Sequence, residues 1–497
     1  MLHVAASALS VLFMPDNFIM LVLGVGIGLM IGIMPGLGGT VGMSILLPFI
    51  YGRSPEQAIA LLLGMGAVTN SSASFTAILV GVPGTAGSIP TIVDGYPMAQ
   101  RGEAGRALGA AFFSSMLGGI FGAVTLVALL PIARPIVLAL ATPELFMMTL
   151  LGLAMIGLLV RGSALVGTLM GVLGLVLGAV GGAPGAPVYR YTFDWLYLMN
   201  GVPLPIFAMG IFALPEIVDL LAGHRAVSRS RALTGSRWQG IKDVIHNKYL
   251  VLRCAILGTF CTMIPGIGGP VADWLSYGMA KQTVKGGTET FGTGDIRGVI
   301  APESSANASE AGNLVPTLLF GIPGSGSMAI FLGALTILGV QVGPSMLDPN
   351  ANLNLTLVIA WTLVLANVLA TAACFSLSGL MSRLSLISGE TLMPFVLVIV
   401  FTAAYDTTRQ WGDLILLLLF GVIGWIMKRM GWPRPPLLIG FVLANAAERY
   451  LIVASERYGS EWLLRPGVLA IAAVLVLTLF GSIFREQRRL RRAAAAQ

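Results

Sequence analysis

The chain has 497 residues, of which 56% are hydrophobic and only 10% charged, with a formal net charge of +7. Soluble domains carry about 25% charged residues, so this composition and its strongly positive mean hydropathy exclude a soluble enzyme or binding module. Apolar runs of membrane-spanning length recur at 17–34, 107–133, 143–160, 163–181, 204–222, 355–380, 413–427, 436–455 and 466–484. A bilayer core of about 30 Å needs roughly 20 such residues, so the expected fold class is all-α, a polytopic membrane protein of about 12 spans.

The excess positive charge sits in two places. Residues 224–253 carry Arg225, Arg229, Arg231, Arg237, Lys242, Lys248 and Arg253 against Asp243, and the tail carries Arg485, Arg488, Arg489, Arg491 and Arg492. Beside membrane spans such runs mark cytoplasmic loops. They are read as a basic cytoplasmic linker (224–248) and a basic cytoplasmic tail (485–497), not as a nucleic-acid surface. The first Lys or Arg is Arg53, so no basic n-region of a cleavable signal peptide is expected. Cys254, Cys261 and Cys374 form no CxxC pair and read as small hydrophobes. His3, His224 and His246 form no metal-ligand cluster.

Residues 1–16 read as a short surface helix or a frayed end. The first span starts near Asn17 and meets Pro35-Gly36-Leu37-Gly38-Gly39, after which an apolar stretch continues to Ile50. Proline removes a backbone donor and glycine weakens helix continuation. Irregular backbone at membrane depth survives only where it is buried in protein or lines a cavity. Gly24, Gly28, Gly32 and Gly36 recur at every fourth position and leave one helix face bare for close packing. Residues 56–98 form a hairpin, either a pair of spans or a re-entrant loop. Its first arm carries the patch Thr69-Asn70-Ser71-Ser72-Ala73-Ser74-Phe75-Thr76, and the break follows at Gly81-Val82-Pro83-Gly84-Thr85-Ala86-Gly87-Ser88. Arg53, Arg101 and Arg106 place both ends in the cytoplasm, and the position of Pro83-Gly84 at a tip favours the re-entrant form. Asp94-Gly95-Tyr96-Pro97 is then expected to be a turn near the exit. Further spans follow near 107–133, 143–160, 163–181 and 204–222, with Arg161 inside and 182–203, bearing Arg190 and Asp194, outside.

The second half repeats this order. A span at 249–264 breaks at Pro265-Gly266-Ile267-Gly268-Gly269, 230 residues after the first break. A polar segment at 281–298 follows. The hairpin 299–345 carries Glu303-Ser304-Ser305-Ala306-Asn307-Ala308-Ser309-Glu310 and then Gly321-Ile322-Pro323-Gly324-Ser325-Gly326-Ser327, 240 residues after its counterpart. Later spans are expected near 355–380, 390–407, 413–427, 436–455 and 466–484. Thr142-Pro143-Glu144 matches Ser388-Gly389-Glu390 in place, and Gly201-Val202-Pro203-Leu204-Pro205 matches Gly431-Trp432-Pro433-Arg434-Pro435. Lys428, Arg429 and Arg434 put the second of these loops in the cytoplasm, whereas its counterpart 182–203 lies outside. The halves, 1–223 and 249–484, therefore read as repeats inverted about an axis in the membrane plane. Lys281, Lys285 and Arg297 run against this, diluted by Glu289, Asp295 and Glu303.

Broken helices in inverted repeats place a ligand site near the bilayer midplane. A helix that starts there presents free N–H groups and about half a positive charge, a ready site for a carboxylate. The substrate-binding candidates are Gly36, Gly38, Gly39, Pro83, Gly84, Thr85 and Ser88, with Gly266, Gly268, Gly269, Pro323, Gly324, Ser325, Gly326 and Ser327 in the second half. Carbonyls at the opposite ends of broken helices suit Na⁺, helped by Asn70, Ser71, Ser74, Asn307 or Ser309. Glu310 aligns with Asn70 and is a candidate for a cation or proton site, since ionisable residues inside spans are costly. Asp273, Glu144 and Glu390 are further ionisable groups, the last two also readable as acidic helix starts. No GxxxxGK[ST], GxSxG or HExxH occurs, so neither an ATPase nor a hydrolase is expected and no catalytic residue or organic cofactor is assigned.

At Pro35 to Gly39, at Thr69 to Ser88 with Pro83-Gly84-Thr85, and at their equivalents Pro265 to Gly269 and Asn307 to Ser327, the chain resembles the large permease subunit of the tripartite tricarboxylate transporters. The resemblance extends over essentially the whole chain. It implies uptake of a tricarboxylate, dicarboxylate or aromatic acid across the bacterial inner membrane, driven by a Na⁺ or H⁺ gradient. It also implies two partners, a small membrane subunit and a periplasmic solute-binding protein. A stand-alone carrier or exchanger without a binding protein, and an anion channel, are the other readings. An intramembrane enzyme is disfavoured by the missing catalytic groups.

Overall fold

The computed structural model describes residues 2–34, 36–159, 164–222, 235–384 and 389–477. The sequence features at Pro35, Arg161, residues 223–234, Ser388 and the tail 485–497 lie outside them, as does the side chain of Glu390. Trp361 Nε1 anchors the first helix, α1 (Leu2–Leu12), by donating to Ala5 O at 2.9 Å. The first predicted break interrupts α2 (Pro15–Ile33) and α3 (Gly39–Leu46), with Gly36 at φ +90°. Ser54 then caps α4 (Pro55–Leu79) by accepting from Gln57 N at 3.3 Å, with Pro55 at the first helical position. The turn out of α4 needs the left-handed φ of +73° at Gly81. After the tip come α5 (Ile89–Gln100), α6 (Ala104–Leu138), α7 (Thr142–Leu159) and α8 (Ala164–Gly178). A two-residue antiparallel ladder (Gly181–Gly182 with Tyr189–Arg190) follows. Then α9 (Leu204–Ala208) and α10 (Leu214–Ala222) run as one rod through a π turn.

The second half contains α11 (Arg237–His246), α12 (Lys248–Thr262), α13 (Gly269–Thr283), α14 (Gly287–Thr290), α15 (Ile296–Phe320) and α16 (Gly326–Ile337). It continues with α17 (Leu353–Ser376), α18 (Ser378–Leu384), α19 (Gly389–Thr408), α20 (Trp411–Arg429) and α21 (Arg434–Tyr458). Among the described residues, seven helices are long and apolar enough to cross a membrane: α2, α4, α6, the α9–α10 rod, α17, α20 and α21. Several shorter apolar helices accompany them, which is the all-α polytopic architecture expected.

Two sequence expectations need correction. Asp94-Gly95-Tyr96-Pro97 is not a turn but part of α5. The fully buried Asp94 carboxylate serves another loop instead, accepting from Gly292 N and Gly294 N at 2.8 Å, Asp295 N at 2.9 Å and Tyr277 Oη at 2.9 Å. The region 224–248 is not a plain linker, because its described part contains α11. A Cβ on Gly240 would stand 2.2 Å from Arg106 O, so α11 lies backbone to backbone on α6, and Arg106 Nε donates to Asp243 Oδ2 at 2.6 Å. The arms of each hairpin are unequal. The 25 residues of α4 reach about 37 Å and the 12 of α5 about 18 Å at 1.5 Å per residue, so α5 falls short of a bilayer core.

The same 25 and 12 residues recur in α15 and α16. In each half the break reaches the tip: Gly36 N donates to Gly84 O at 3.3 Å and Gly266 N to Gly324 O at 3.4 Å. Gly266 repeats the positive φ, at +89°. Within a half, α2 lies along α4 and α12 along α15; between halves, α4 packs on α17 and α15 on α6. Where α4 meets α15, the pairs Asn70–Glu310, Ser71–Asn307 and Ser74–Glu303 run in opposite chain directions, so these equivalent helices cross antiparallel.

One contact is conserved in position but exchanged in chemistry. Ser72 Oγ on α4 donates to Gly28 O and Thr69 O, each at 3.2 Å, facing Gly32 on α2. In the second half the hydroxyl comes from the other helix: Thr262 Oγ1 on α12 donates to Gly258 O at 2.8 Å and Ser309 O at 3.0 Å, facing Gly312 on α15. Each pair needs one glycine and one hydroxyl. In Gly312→Ala the new methyl would stand 2.2 Å from Thr262 Oγ1 and 2.3 Å from Thr259 O. Overpacking of this kind costs about 1–3 kcal/mol, so the purified protein should melt lower than wild type. Gly26→Ala, with nothing within 4 Å, should melt as wild type does; equal melting of the two variants would refute the packing account.

Candidate functional site

Within α4, every residue from Ala58 to Leu79 is buried except Asn70. Within α15, every residue from Gly298 to Leu319 is buried except Glu310. These two openings lie 240 residues apart, the offset of the two tip motifs, and they touch: Asn70 Nδ2 donates to Glu310 Oε1 at 3.2 Å. The first tip joins them, since Thr85 Oγ1 donates to Asn70 Oδ1 at 3.4 Å. Asn70, Thr85 and Glu310 thus form the partly open centre of the predicted site.

The tips lie crosswise. Gly87 of the first faces Asp273 on α13, and Gly326 of the second faces Thr40 on α3. Each tip therefore abuts the short helix that follows the other half's break. Around Gly38 and Gly39, which start α3, nothing lies within 4 Å of a built Cβ, and a Cβ on Gly269 would meet only Ser309 Cβ at 3.7 Å. Gly268 takes φ +71° just before α13. By contrast Gly84 and Gly324 are packing positions, their Cβ points 2.4 Å from Gly32 O and 2.6 Å from Asn313 Oδ1. Pro83 is half-buried and Pro323 buried. Ser325 Oγ caps α16 by accepting from Met328 N at 3.3 Å and sits 3.0 Å from Ser327 Oγ, and both hydroxyls are half-buried. Ser88 turns inward, its Oγ donating to Thr85 O at 2.9 Å.

Other predicted ion ligands form a second, closed layer. Asn307 Nδ2 donates to Ser71 Oγ at 2.8 Å and to Asn367 Oδ1 at 2.6 Å. Ser309 donates back to Ser305 O. Ser74 Oγ donates to Glu303 Oε1 at 2.7 Å, alongside Thr91 Oγ1 at 2.8 Å, while Ser115 Oγ donates to Glu303 Oε2 at 2.7 Å. Glu303, Thr91, Ser115 and Asn367 were not singled out as site residues from the sequence. The available signal was the spacing of Glu303, Asn307 and Glu310, which places all three on one helical face.

Near the first break, Glu216 Oε2 lies 3.7 Å from the Cβ point of Gly36. Lys428 Nζ and Arg434 Nη2 hold this carboxylate at 2.7 and 2.9 Å. A separate cavity of about 890 Å³, lined by Asn200, Gln341, Asn445, Arg449 and Tyr450 among others, shares no residue with the predicted site.

The family model described as "Tripartite tricarboxylate transporter TctA family" matches residues 18–439, a span containing both breaks and both tips. The chain belongs to this family. It is also similar to an uncharacterized 52.8 kDa protein in the TAR-I ttuC' 3' region of Agrobacterium vitis, 32% identical over 440 residues, covering 88% of this chain and 86% of the relative. A second protein, from the TAR-II ttuC' 3' region of the same organism, is 30% identical over 195 residues, covering 39% of this chain and 79% of the relative. No solved structure matches the chain. A TctA family protein with these helices is a multi-pass membrane protein and the large subunit of a tripartite tricarboxylate transporter.

In this TctA family protein, Glu303 joins α15 to α4, α5 and α6 at once. Glu303→Ala removes the acceptor of three buried hydroxyls, at about 1–3 kcal/mol for each group left unpaired. Its melting temperature should fall well below that of Ser115→Ala, which removes one donor. Equal losses would show that the carboxylate is not the hub.

Proposed function

We propose that this protein is the permease subunit of a binding-protein-dependent secondary transporter that takes carboxylates into bacteria across the inner membrane, driven by a Na⁺ or H⁺ gradient. The observation that carries the proposal is the Asn70–Glu310 pair, the opening in the otherwise buried stretches Ala58–Leu79 and Gly298–Leu319, joined to the first tip through Thr85. The helix starts at Gly39, Gly269 and Gly326, with the hydroxyls of Thr85, Ser325 and Ser327, supply N–H and O–H donors for a substrate carboxylate. Asn70 and Glu310 supply oxygens for the coupling ion, backed by Ser71, Ser74, Asn307 and Ser309. An ionised Glu310 repels an approaching carboxylate, strongly so at low local dielectric. A cation or proton at Glu310 removes that repulsion, so ion and substrate bind together and symport follows.

The reading includes two inverted repeats and about 12 spans. The antiparallel crossing of α4 and α15 supports the inversion. So does α21, whose first residue Arg434 pairs with Glu216 while Glu448, about 21 Å further along the helix, pairs with Arg190. Lys428 and Arg190 therefore stand at opposite ends of one long helix, as a cytoplasmic and an external loop require. The implied partners are the small membrane subunit and a periplasmic solute-binding protein.

Reconstitution with candidate binding proteins, imposing Na⁺ and pH gradients separately, tests the function. Carboxylate uptake should require the binding protein and one gradient, and Glu310→Gln should lower gradient-driven uptake at least tenfold. No carboxylate carried under either gradient sinks the proposal, and uptake without any soluble component replaces it with a stand-alone carrier. In single-cysteine proteins, Arg190→Cys and Met430→Cys should react with impermeant reagents from opposite sides; reaction from one side sinks the inversion.

A further inference from the structure

Oxygen atoms converge on Gly87 at the first tip. Of the atoms outside neighbouring residues, the three nearest to the point where its Cβ would stand are all oxygens: Asp273 Oδ2 at 2.9 Å, Thr85 Oγ1 at 3.7 Å and Asn70 Oδ1 at 3.8 Å. One comes from the tip, one from α4 and one from α13 of the other half. Asp273 is 1% exposed and its Oδ1 has no hydrogen-bond partner. A carboxylate buried without a counter-charge is too costly to persist, and among the described residues no Lys, Arg or His pairs with it. The hydrogen bond to Glu310 fixes the Asn70 amide: a carboxylate oxygen accepts, so the NH2 turns to Glu310 and the amide oxygen turns to Gly87.

We infer that these three oxygens form a binding site for a small monovalent cation, Na⁺, shared between the two halves. The donor set is all hard oxygen, the kind that s-block cations take. It carries one carboxylate, one amide and one hydroxyl, a single negative charge that one monovalent cation neutralises. Glu310 acts here as a positioning residue through Asn70. The other tip keeps only the hydroxyl of this cage, at Ser325. At the equivalent positions Met43 replaces Asp273, Ser327 fills the place of Gly87, and Glu310 stands where Asn70 does. The inference deepens the coupling-ion half of the proposed function and names both the ion and a ligand, Asp273.

The test is Na⁺ binding to the purified full-length protein in detergent, with no carboxylate and no binding protein present. It is read as the shift in melting temperature on exchanging choline for Na⁺ and as uptake of radioactive Na⁺ by the protein. Wild type should bind Na⁺ in preference to K⁺. Asp273→Asn should weaken binding at least tenfold. Gly87→Ala should do the same while retaining all three oxygens, because its methyl occupies the cage; Gly87 does not have the left-handed backbone that would strain alanine. Gly87→Ala thus guards against misfolding of the Asp273 variant. Na⁺ binding by Gly87→Ala equal to wild type overturns the site, and so does a wild type indifferent to Na⁺ but stabilised by acid, which would make Asp273 a proton carrier. The outcome is separable from the transport reading. Na⁺ binding without carboxylate uptake sinks only the latter, and Na⁺-driven uptake undiminished in Gly87→Ala sinks only the former.

Discussion

The interaction on which the rest depends is a backbone hydrogen bond made twice, from Gly36 N to Gly84 O and from Gly266 N to Gly324 O. A helix interrupted within a bilayer exposes N–H and C=O groups that lipid cannot satisfy. Here each break is placed against the tip of the neighbouring hairpin, so two irregular stretches satisfy part of each other's need. Gly36 and Gly266 supply the positive φ of each break, and a Cβ on Gly84 or Gly324 would strike Gly32 O or Asn313 Oδ1, so both partners are glycines in both halves. With the tips fixed this way, α3 and α16 begin beside each other and α13 lies against the first tip, next to the centre formed by Asn70, Thr85 and Glu310.

Around that centre the two halves share geometry without sharing residues. The glycine–hydroxyl contact between the broken helix and the long arm has its hydroxyl on α4 in one half and on α12 in the other, while the carbonyls it bonds stay equivalent. Backbone spacing is held constant and either helix can supply the small residue. The polar centre behaves differently. Asn70 meets Glu310, so the pair where α4 crosses α15 is one amide and one carboxylate rather than two of a kind. Two carboxylates in that position would repel each other, and two amides would carry no charge to respond to an ion.

What could be read before the structure follows from how local each signal is. Pro-Gly breaks, apolar runs and the 230- and 240-residue offsets are carried by contiguous residues, and the helices fall where those runs lie. Asn70 and Glu310 were legible because superposing two motifs aligned them. Glu303 was not, since its partners Ser74, Thr91 and Ser115 come from three other helices about two hundred residues away in the chain. Asp94-Gly95-Tyr96-Pro97 has turn composition, yet its carboxylate gains more from capping the distant 292–295 loop than from bending its own backbone. Tertiary partners overrode the local preference. Gly240 and Gly109 hid the docking of α11 in the same way, because nothing in a basic stretch announces a helix seated on bare backbone.

The carboxylates of Asp94 and Glu303 also have a mechanical consequence. Asp94 lies on the short arm of the first hairpin and grips the loop that leads into the second; Glu303 lies on the long arm of the second and grips both arms of the first. To slide one hairpin past the other, buried charge-assisted hydrogen bonds at two separate levels would have to break together. The hairpins are therefore riveted into a single block. Whatever displacement carries a solute across must move both hairpins together.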